Sequence, residues 1–316
     1  MLLNIRDLKT YFPGRKQYLF SKPEQVKAID GVTISIEEGE TLGLVGESGS
    51  GKSTLGKAIV NLVTKTGGTV MFKDFADEKH QSNSGKIQMV FQDPLASLNP
   101  RMTVGNAISE VLKYHRIVPK DKILQRVKAL FTMVELSPDL IFNYPHQFSG
   151  GQRQRIGIAR ALAVNPELII CDEVVSALDV SIQAQIINLL KRLQIDQGIA
   201  YLFISHDLAV VRQIAHRIAV LYCGRIVEIG RTDEIISSPV HPYTQALFSV
   251  ASESNSGSVS MISTEVANPA NPPDGCHFHP RCPIANNSGN FIGACSSVDP
   301  DLKKKSGGRM VACHQI

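Results

Sequence analysis

Apolar and polar residues alternate along 2–9 and 25–37, most clearly at Val32, Ile34 and Ile36. A period of two predicts strands with one buried face. Thr41-Leu42-Gly43-Leu44-Val45 is a short apolar run and predicts a buried strand. From Lys52 to about Leu62 the spacing becomes helical, and 86–91 predicts another strand. The texture changes at Asp93-Pro94. Helical spacing then dominates at 103–115, 121–135 and 152–164, which together read as a helical insertion in an α/β core. Strands resume at 167–172 and 200–205, separated by an amphipathic helix at 181–195, and short strands follow at 217–222 and 225–229. One helix is expected within 236–250. Residues 252–274 are rich in Ser, Asn and Pro and read as a linker, and no internal repeat is visible.

Chemistry enters where the third strand meets the first helix. Gly46-Glu47-Ser48-Gly49-Ser50-Gly51-Lys52-Ser53 fits G-x-x-x-x-G-K-[ST]. Glycines let backbone N–H groups turn inward around phosphate oxygens, and the helix adds its partial positive N-terminus. Lys52 is expected on the β- and γ-phosphates, the Ser53 hydroxyl on Mg²⁺, and Thr54 on a further phosphate oxygen. The plain alternative is a glycine turn before a helix. The strand in front and an acidic strand end downstream argue against it: Leu168-Ile169-Ile170-Cys171 runs into Asp172-Glu173. Asp172 has the position of a metal-directed carboxylate, and Glu173 that of a base polarising the attacking water. A helix N-cap or a surface pair is the bland reading of two such acids. It loses weight beside the phosphate loop.

Composition narrows the class without naming it. A net charge of +4 suits a protein handling anions or lying near a membrane surface, and equally a solvated surface with spare lysines. The absence of Trp argues against an aromatic nucleic-acid platform. No window approaches the ~18 apolar residues of a membrane span, and the N-terminal stretch carries Asp7 where a signal peptide would be apolar. A cytosolic protein is expected, with any membrane role resting on a partner that spans. Cys171 and Cys223 lie in apolar runs. Cys276, Cys282, Cys295 and Cys313 crowd the last 41 residues, and in a reducing compartment such a cluster suggests a metal before disulfides.

Ser149-Gly150-Gly151-Gln152 followed by Arg153-Gln154-Arg155 resembles the signature of ABC-type ATPases, and residues 1–235 carry the family's motifs in order. The resemblance implies a P-loop NTPase fold: a RecA-like α/β core at 1–92 and 165–235 with an antiparallel β subdomain, a helical signature subdomain at 93–164, and a C-terminal extension at 236–316. It implies that Gln92 senses Mg²⁺ and water, that Ser176-Ala177-Leu178-Asp179 is the D-loop, and that His206 contacts the γ-phosphate. Tyr11-Phe12 falls where the family stacks an aromatic on adenine. The spacing of Lys9 and Pro13 favours Phe12, with Tyr11 nearly as good. The family pairs two such domains head to tail, each ATP lying between one phosphate loop and the other's signature, so an isolated copy should hydrolyse poorly.

A narrower resemblance, to ATP-binding subunits of oligopeptide and dipeptide importers, rests on three stretches. They are Val90 to Gly105, Ser176 to Gln185, and the tail from His241-Pro242-Tyr243-Thr244 to Cys276-His277-Phe278-His279-Pro280-Arg281-Cys282-Pro283. Ile169-Ile170-Cys171-Asp172-Glu173 leans towards the second of the two ATPases of such systems. Val174 replaces a usual proline, Phe148 stands where leucine is commonest, and Asn286 to Gly293 looks like an inserted loop. The resemblance implies a non-identical partner ATPase, two transmembrane permease subunits, an extracytoplasmic peptide-binding protein acting indirectly, no nucleic acid, and peripheral residence at the cytoplasmic membrane face. Four thiolates suit a [4Fe–4S] cluster or a tetrahedral Zn²⁺ equally by chemistry, the spacing leaves room for no metal at all, and the resemblance favours the cluster. Cys295 is the least certain ligand, with His277, His279 and His314 in reserve. Two other functions stay open at this point: a soluble ABC ATPase acting on nucleic acid or ribosomes, and an interaction subunit with a silent ATP site. Lys52, Asp172, Glu173 and His206 argue against silence.

Overall fold

The computed structural model describes residues 1–14, 25–73, 75–76, 85–93, 98–251, 267–287 and 292–315. Residues 94–97, most of the 252–274 linker and 288–291 of the inserted loop lie outside them. In chain order the first elements are β1 (Leu3–Pro13), β2 (Gln25–Ile36), β3 (Thr41–Val45), α1 (Lys52–Ile59), β4 (Gly67–Phe72), β5 (Phe75–Ala76) and β6 (Ile87–Val90). The helices α2 (Val104–Tyr114), α3 (Ile123–Met133) and α4 (Gly150–Leu162) follow, then β7 (Leu168–Asp172), α5 (Val180–Gln197), β8 (Ala200–Ile204) and α6 (Leu208–Ile214). The remainder is β9 (Arg217–Tyr222), β10 (Arg225–Arg231), α7 (Thr232–Ser237), α8 (Pro242–Ala251), α9 (Pro283–Asn287), α10 (Ile292–Ser297), β11 (Lys303–Lys304) and β12 (Met310–Val311).

These elements form two compact units. One comprises Met1–Ile36, Thr41–Asp77 and Ile204–Ile316, the other Glu37–Glu40 and Glu78–Phe203. In the first, an antiparallel sheet runs β2-β1-β4-β5, and a second set of strands runs β11-β12-β10-β9-β3. Alternation does its work in β2, where Val32, Ile34 and Ile36 are buried and Thr33 is exposed. β1 outlasts its own alternation, because backbone pairing with β2 continues to Pro13 opposite Gln25. β3 pairs parallel with β9, both almost wholly buried, which is why they read as continuous apolar runs. The tail contributes β12, antiparallel to β10 through Glu228 opposite Val311. Hence the cysteine-bearing segment is joined by backbone hydrogen bonds to the unit that carries the phosphate loop.

In the second unit β6 pairs parallel with β7 and β8 lies next to β7 in the sheet order. All five residues of β7 are buried, Asp172 included. α2 buries Val104, Ile108 and Leu112 at four-residue spacing, and Thr103 caps it by accepting from the Asn106 N–H. α3 presents Ile123, Val127, Leu130 and Phe131. Glu135 accepts from both Arg155 of α4 and Arg192 of α5, tying those helices together. Its two guanidinium partners hold its carboxyl below the usual range.

Candidate nucleotide-binding site

The loop between β3 and α1 has a shape that only glycine allows at two points. Gly46 has φ +154°, and a Cβ there would lie 2.2 Å from the Leu221 carbonyl oxygen. Gly51 has φ +108°, and its Cβ would lie 2.3 Å from the Ala28 carbonyl oxygen. The backbone itself therefore fills the space, which is what a phosphate cradle needs. Lys52 is buried and its Nζ donates to the carbonyls of Gly46 (2.8 Å) and Glu47 (2.9 Å). Gly51 is the N-cap of α1 and has no side chain to cap the helix. The Ser50 hydroxyl is buried with no hydrogen-bond partner among the described residues. An uncapped helix start, an ammonium group and an orphaned hydroxyl in one loop match the needs of an anion.

Tyr11 and Phe12 separate at the end of β1. The Tyr11 hydroxyl donates to Asp30, whose carboxylate also takes Arg225 at 2.9 Å. Burial alone would raise the Asp30 carboxyl; the Tyr11 hydrogen bond and the Arg225 charge outweigh it and hold it below its ordinary value. Phe12 is exposed and lines an open groove with Pro13, Asn61 and Lys65; Tyr11 also borders this groove, but its hydroxyl is held by Asp30. His206 stands exposed in the turn before α6, whose N-cap Asp207 accepts from Ala209 and Val210.

In the second unit Ser149 is the N-cap of α4. Its hydroxyl accepts from the Gln152 N–H at 3.4 Å, and the Gln152 side-chain oxygen accepts from the Ser149 N–H at 2.9 Å. This reciprocal capping box presents Gly150 and Gly151 at the helix start. Glu173 adopts φ +52°, an unusual left-handed conformation for a residue with a side chain, immediately after the buried Asp172. Gln92 and Ser176 come together, with Nε2 donating to Oγ at 3.3 Å, and Ser176 in turn donates to the Glu173 carbonyl at 2.9 Å. Asp179 caps α5 by accepting from Ile182, and hydrogen bonds from Ser181 and that N–H lower its carboxyl.

The four tail cysteines line one small cavity, with His279 and His314 also on its wall. Cys295, which the spacing left least certain, is among them. Burial raises the Cys276 thiol to about 12 and shifts Cys295 and Cys313 in the same direction. His277 turns away to the Cys223 carbonyl at 3.0 Å. Among the described residues, however, no group of three or more His, Cys, Asp or Glu side chains is arranged to hold a metal ion. Four thiols on one wall are nonetheless the donor chemistry of a thiolate-bound centre.

Sequence reasoning did not give Glu47, Tyr243 or Arg281 any role, yet they meet. Arg281 donates to both Glu47 carboxylate oxygens, at 2.9 and 3.1 Å, and the Glu47 N–H donates to the Tyr243 hydroxyl at 2.9 Å. Their signal lay in the His-Pro-Tyr-Thr and His-Pro-Arg-Cys stretches, visible as family marks but carrying no chemistry of their own.

Residues 29–176 match the ABC transporter family, and residues 227–288 match the oligopeptide/dipeptide transporter C-terminal region. The oligopeptide transport ATP-binding protein OppF of Salmonella typhimurium is 50% identical, the match covering 95% of this chain and 97% of that protein. AppF of Bacillus subtilis, of the same description, is 48% identical over 99% of this chain and 97% of that protein. Among solved structures, the ATP-binding cassette MJ0796 in a dimeric post-hydrolysis state with ADP and Pi aligns with a TM-score of 0.64 at 28% identity. It covers 73% of this chain and 99% of that one. These relatives lend no support to an ATPase of nucleic acid or ribosomes. Among the described residues no helix is long and apolar enough to cross a membrane. This chain belongs to the ABC transporter family, as an ABC ATPase of its oligopeptide/dipeptide transporter branch.

Proposed function

We propose that this chain is the ATP-hydrolysing subunit of an importer that drives uptake of oligopeptides or dipeptides through partner membrane subunits. The observation that carries the reading is the glycine-built phosphate loop, packed in one unit with a tail of the peptide-transporter type. In this reading Lys52 and the N–H groups of Gly46 to Thr54 hold the phosphates, and Phe12 stacks on adenine. Tyr11 serves Asp30 instead, with its hydroxyl engaged there. Ser53, Gln92 and Asp172 are the oxygen ligands proposed for Mg²⁺, which when bound offsets phosphate charge. Glu173 accepts a proton from the attacking water, and His206 donates to the γ-phosphate. Ser149, Gly150, Gly151 and Gln152, with Asp179 of the D-loop, serve the ATP of a second ATPase subunit, a non-identical paralogue. The core (1–92, 165–235), the helical subdomain (93–164) and the extension (236–316) are the proposed functional divisions.

The partners are two transmembrane permease subunits and, indirectly, an extracytoplasmic peptide-binding protein. The protein works at the cytoplasmic membrane face. Cys276, Cys282, Cys295 and Cys313 are proposed to hold a [4Fe–4S] cluster, or Zn²⁺ in its place, stapling the tail. Their convergence on one cavity supports this. Anaerobic purification of the chain from its native membranes tests both parts. Two multi-span subunits and a second ABC ATPase should co-purify, and elemental analysis should find iron and sulfide, or zinc, lost in Cys282→Ser. Recovery of ribosomes or DNA in place of membrane subunits would overturn the importer, and metal-free wild type would overturn the centre.

A further inference from the structure

Glu47, the second residue of the phosphate loop, has all three of its polar groups engaged. Its carbonyl accepts from Lys52, its N–H donates to Tyr243, and its carboxylate takes the two-pronged guanidinium of Arg281. Two of these three partners come from the C-terminal extension. Both are firmly seated. Tyr243 is fully buried, and burial raises its hydroxyl so that it stays protonated. Its ring packs 4.6 Å from Tyr222 and 5.4 Å from Phe278, centroid to centroid. The Arg281 guanidinium lies over the rings of Tyr222 (5.7 Å) and Phe278 (5.9 Å). The helix that carries Tyr243 is anchored at its start by Glu228, which has no exposed surface and accepts from the N–H groups of Val240 and His241.

A carboxylate in a loop built for phosphate is an electrostatic liability, because like charges at short range repel. Arg281 cancels that charge in a bidentate pair, the geometry that a guanidinium satisfies and an ammonium cannot. It also fixes the loop's shape before nucleotide arrives, which lowers the ordering cost of binding. We infer that Arg281 is a positioning and charge-neutralising residue of the nucleotide site, so that the extension, supplying Arg281 and Tyr243, sets the affinity for ATP. The inference rests on the phosphate-loop reading of 46–53 and goes beyond it.

The test is titration of the full-length chain with a ribose-labelled fluorescent ATP analogue and Mg²⁺. Arg281→Ala leaves Glu47 charged and unpaired, and should weaken binding about tenfold, the scale of one lost charged hydrogen-bond pair. Arg281→Ala combined with Glu47→Gln removes the liability as well, and should recover to within about threefold of wild type. A residue needed only for folding would show no such recovery. Arg281→Lys keeps the charge but loses the fork and should cost about threefold; it serves if the alanine variant does not fold. Binding by Arg281→Ala and Arg281→Lys at wild-type affinity would overturn the inference, as would a double variant weaker than Arg281→Ala. Lys52→Ala is the control. If it too binds like wild type, the phosphate-loop reading has failed rather than the role of Arg281.

Discussion

Two helices in this chain begin at glycine-rich sequence, and they begin differently. α1 starts at Gly51, a left-handed residue without a side-chain cap, beside a buried lysine. α4 starts at Ser149, which caps its own helix in a reciprocal box with Gln152. A helix start without a side-chain cap leaves N–H groups for water or a ligand's oxygens, which is what the phosphate site proposed at α1 requires. A helix that caps itself is stable alone, and its exposed Ser149 and Gly150 stand at the open helix start. That suits a site completed by another subunit's nucleotide. In the proposed function, one motif binds and the other is offered.

The strongest way to break this contrast is at Lys52. Lys52→Ala should weaken ATP binding by roughly 100-fold in the isolated chain, since a lysine–phosphate interaction is charge-assisted. Ser149→Ala should leave that binding unchanged. Equal losses in the two variants, measured by equilibrium titration, would erase the distinction.

Glycine substitutions sharpen it next. Gly51→Ala meets the Ala28 carbonyl oxygen, a backbone atom that cannot move aside, at a φ of +108°. It should lose about 2–3 kcal/mol in a denaturant melt. Gly151→Ala would meet the Ile182 Cγ2 at 2.5 Å, the end of a side chain. Ile182 is β-branched and lies in α5, so the clash is relieved by a small shift of packing rather than by rotation, at a cost of about 1–2 kcal/mol.

The cap itself comes next in size. Ser149→Ala should cost ~1 kcal/mol of stability by the same melt, the usual worth of a serine N-cap. With the partner subunits present it should also depress hydrolysis without changing ATP affinity, a split that steady-state kinetics would read as kcat without KM.

The smallest effect concerns pH. The Asp30 carboxyl is held below its ordinary value by Tyr11 and Arg225, despite burial pulling the other way. A depressed folded value means that its contribution is present above the unfolded value, near ~3.9, and is lost as pH falls through the folded one. Asp30→Asn should therefore flatten the acid limb of the stability profile below about pH 4. A limb as steep as that of wild type would assign acid lability elsewhere.

Much of this was legible in the chain before folding. The phosphate loop, the acidic strand end and the signature are local, because a strand, a turn and a helix start are specified by adjacent residues. The strand at Thr41–Val45 appeared with its bounds, as apolar content and flanking turns alone define it. β4 was not foreseen: it opens on Gly67-Gly68 and is held by pairing with β1 rather than by its own propensity. The same holds for β12, two residues long and stabilised by β10.

By itself, then, the sequence determined the nucleotide motifs, which rest on short-range spacing, and, through the resemblance that those motifs and the tail carry, the family and its fold class. The tertiary structure decided what distant residues do to one another. It distinguished Tyr11 from Phe12 by tying the Tyr11 hydroxyl to a buried carboxylate and leaving the Phe12 ring exposed, though both border one open groove. It gathered four cysteines at unequal spacing onto one cavity. And it set Arg281, 234 residues away in the chain, on Glu47. Such pairs leave no periodic trace, because ion pairing and burial act through space, and only the folded backbone brings the partners within reach.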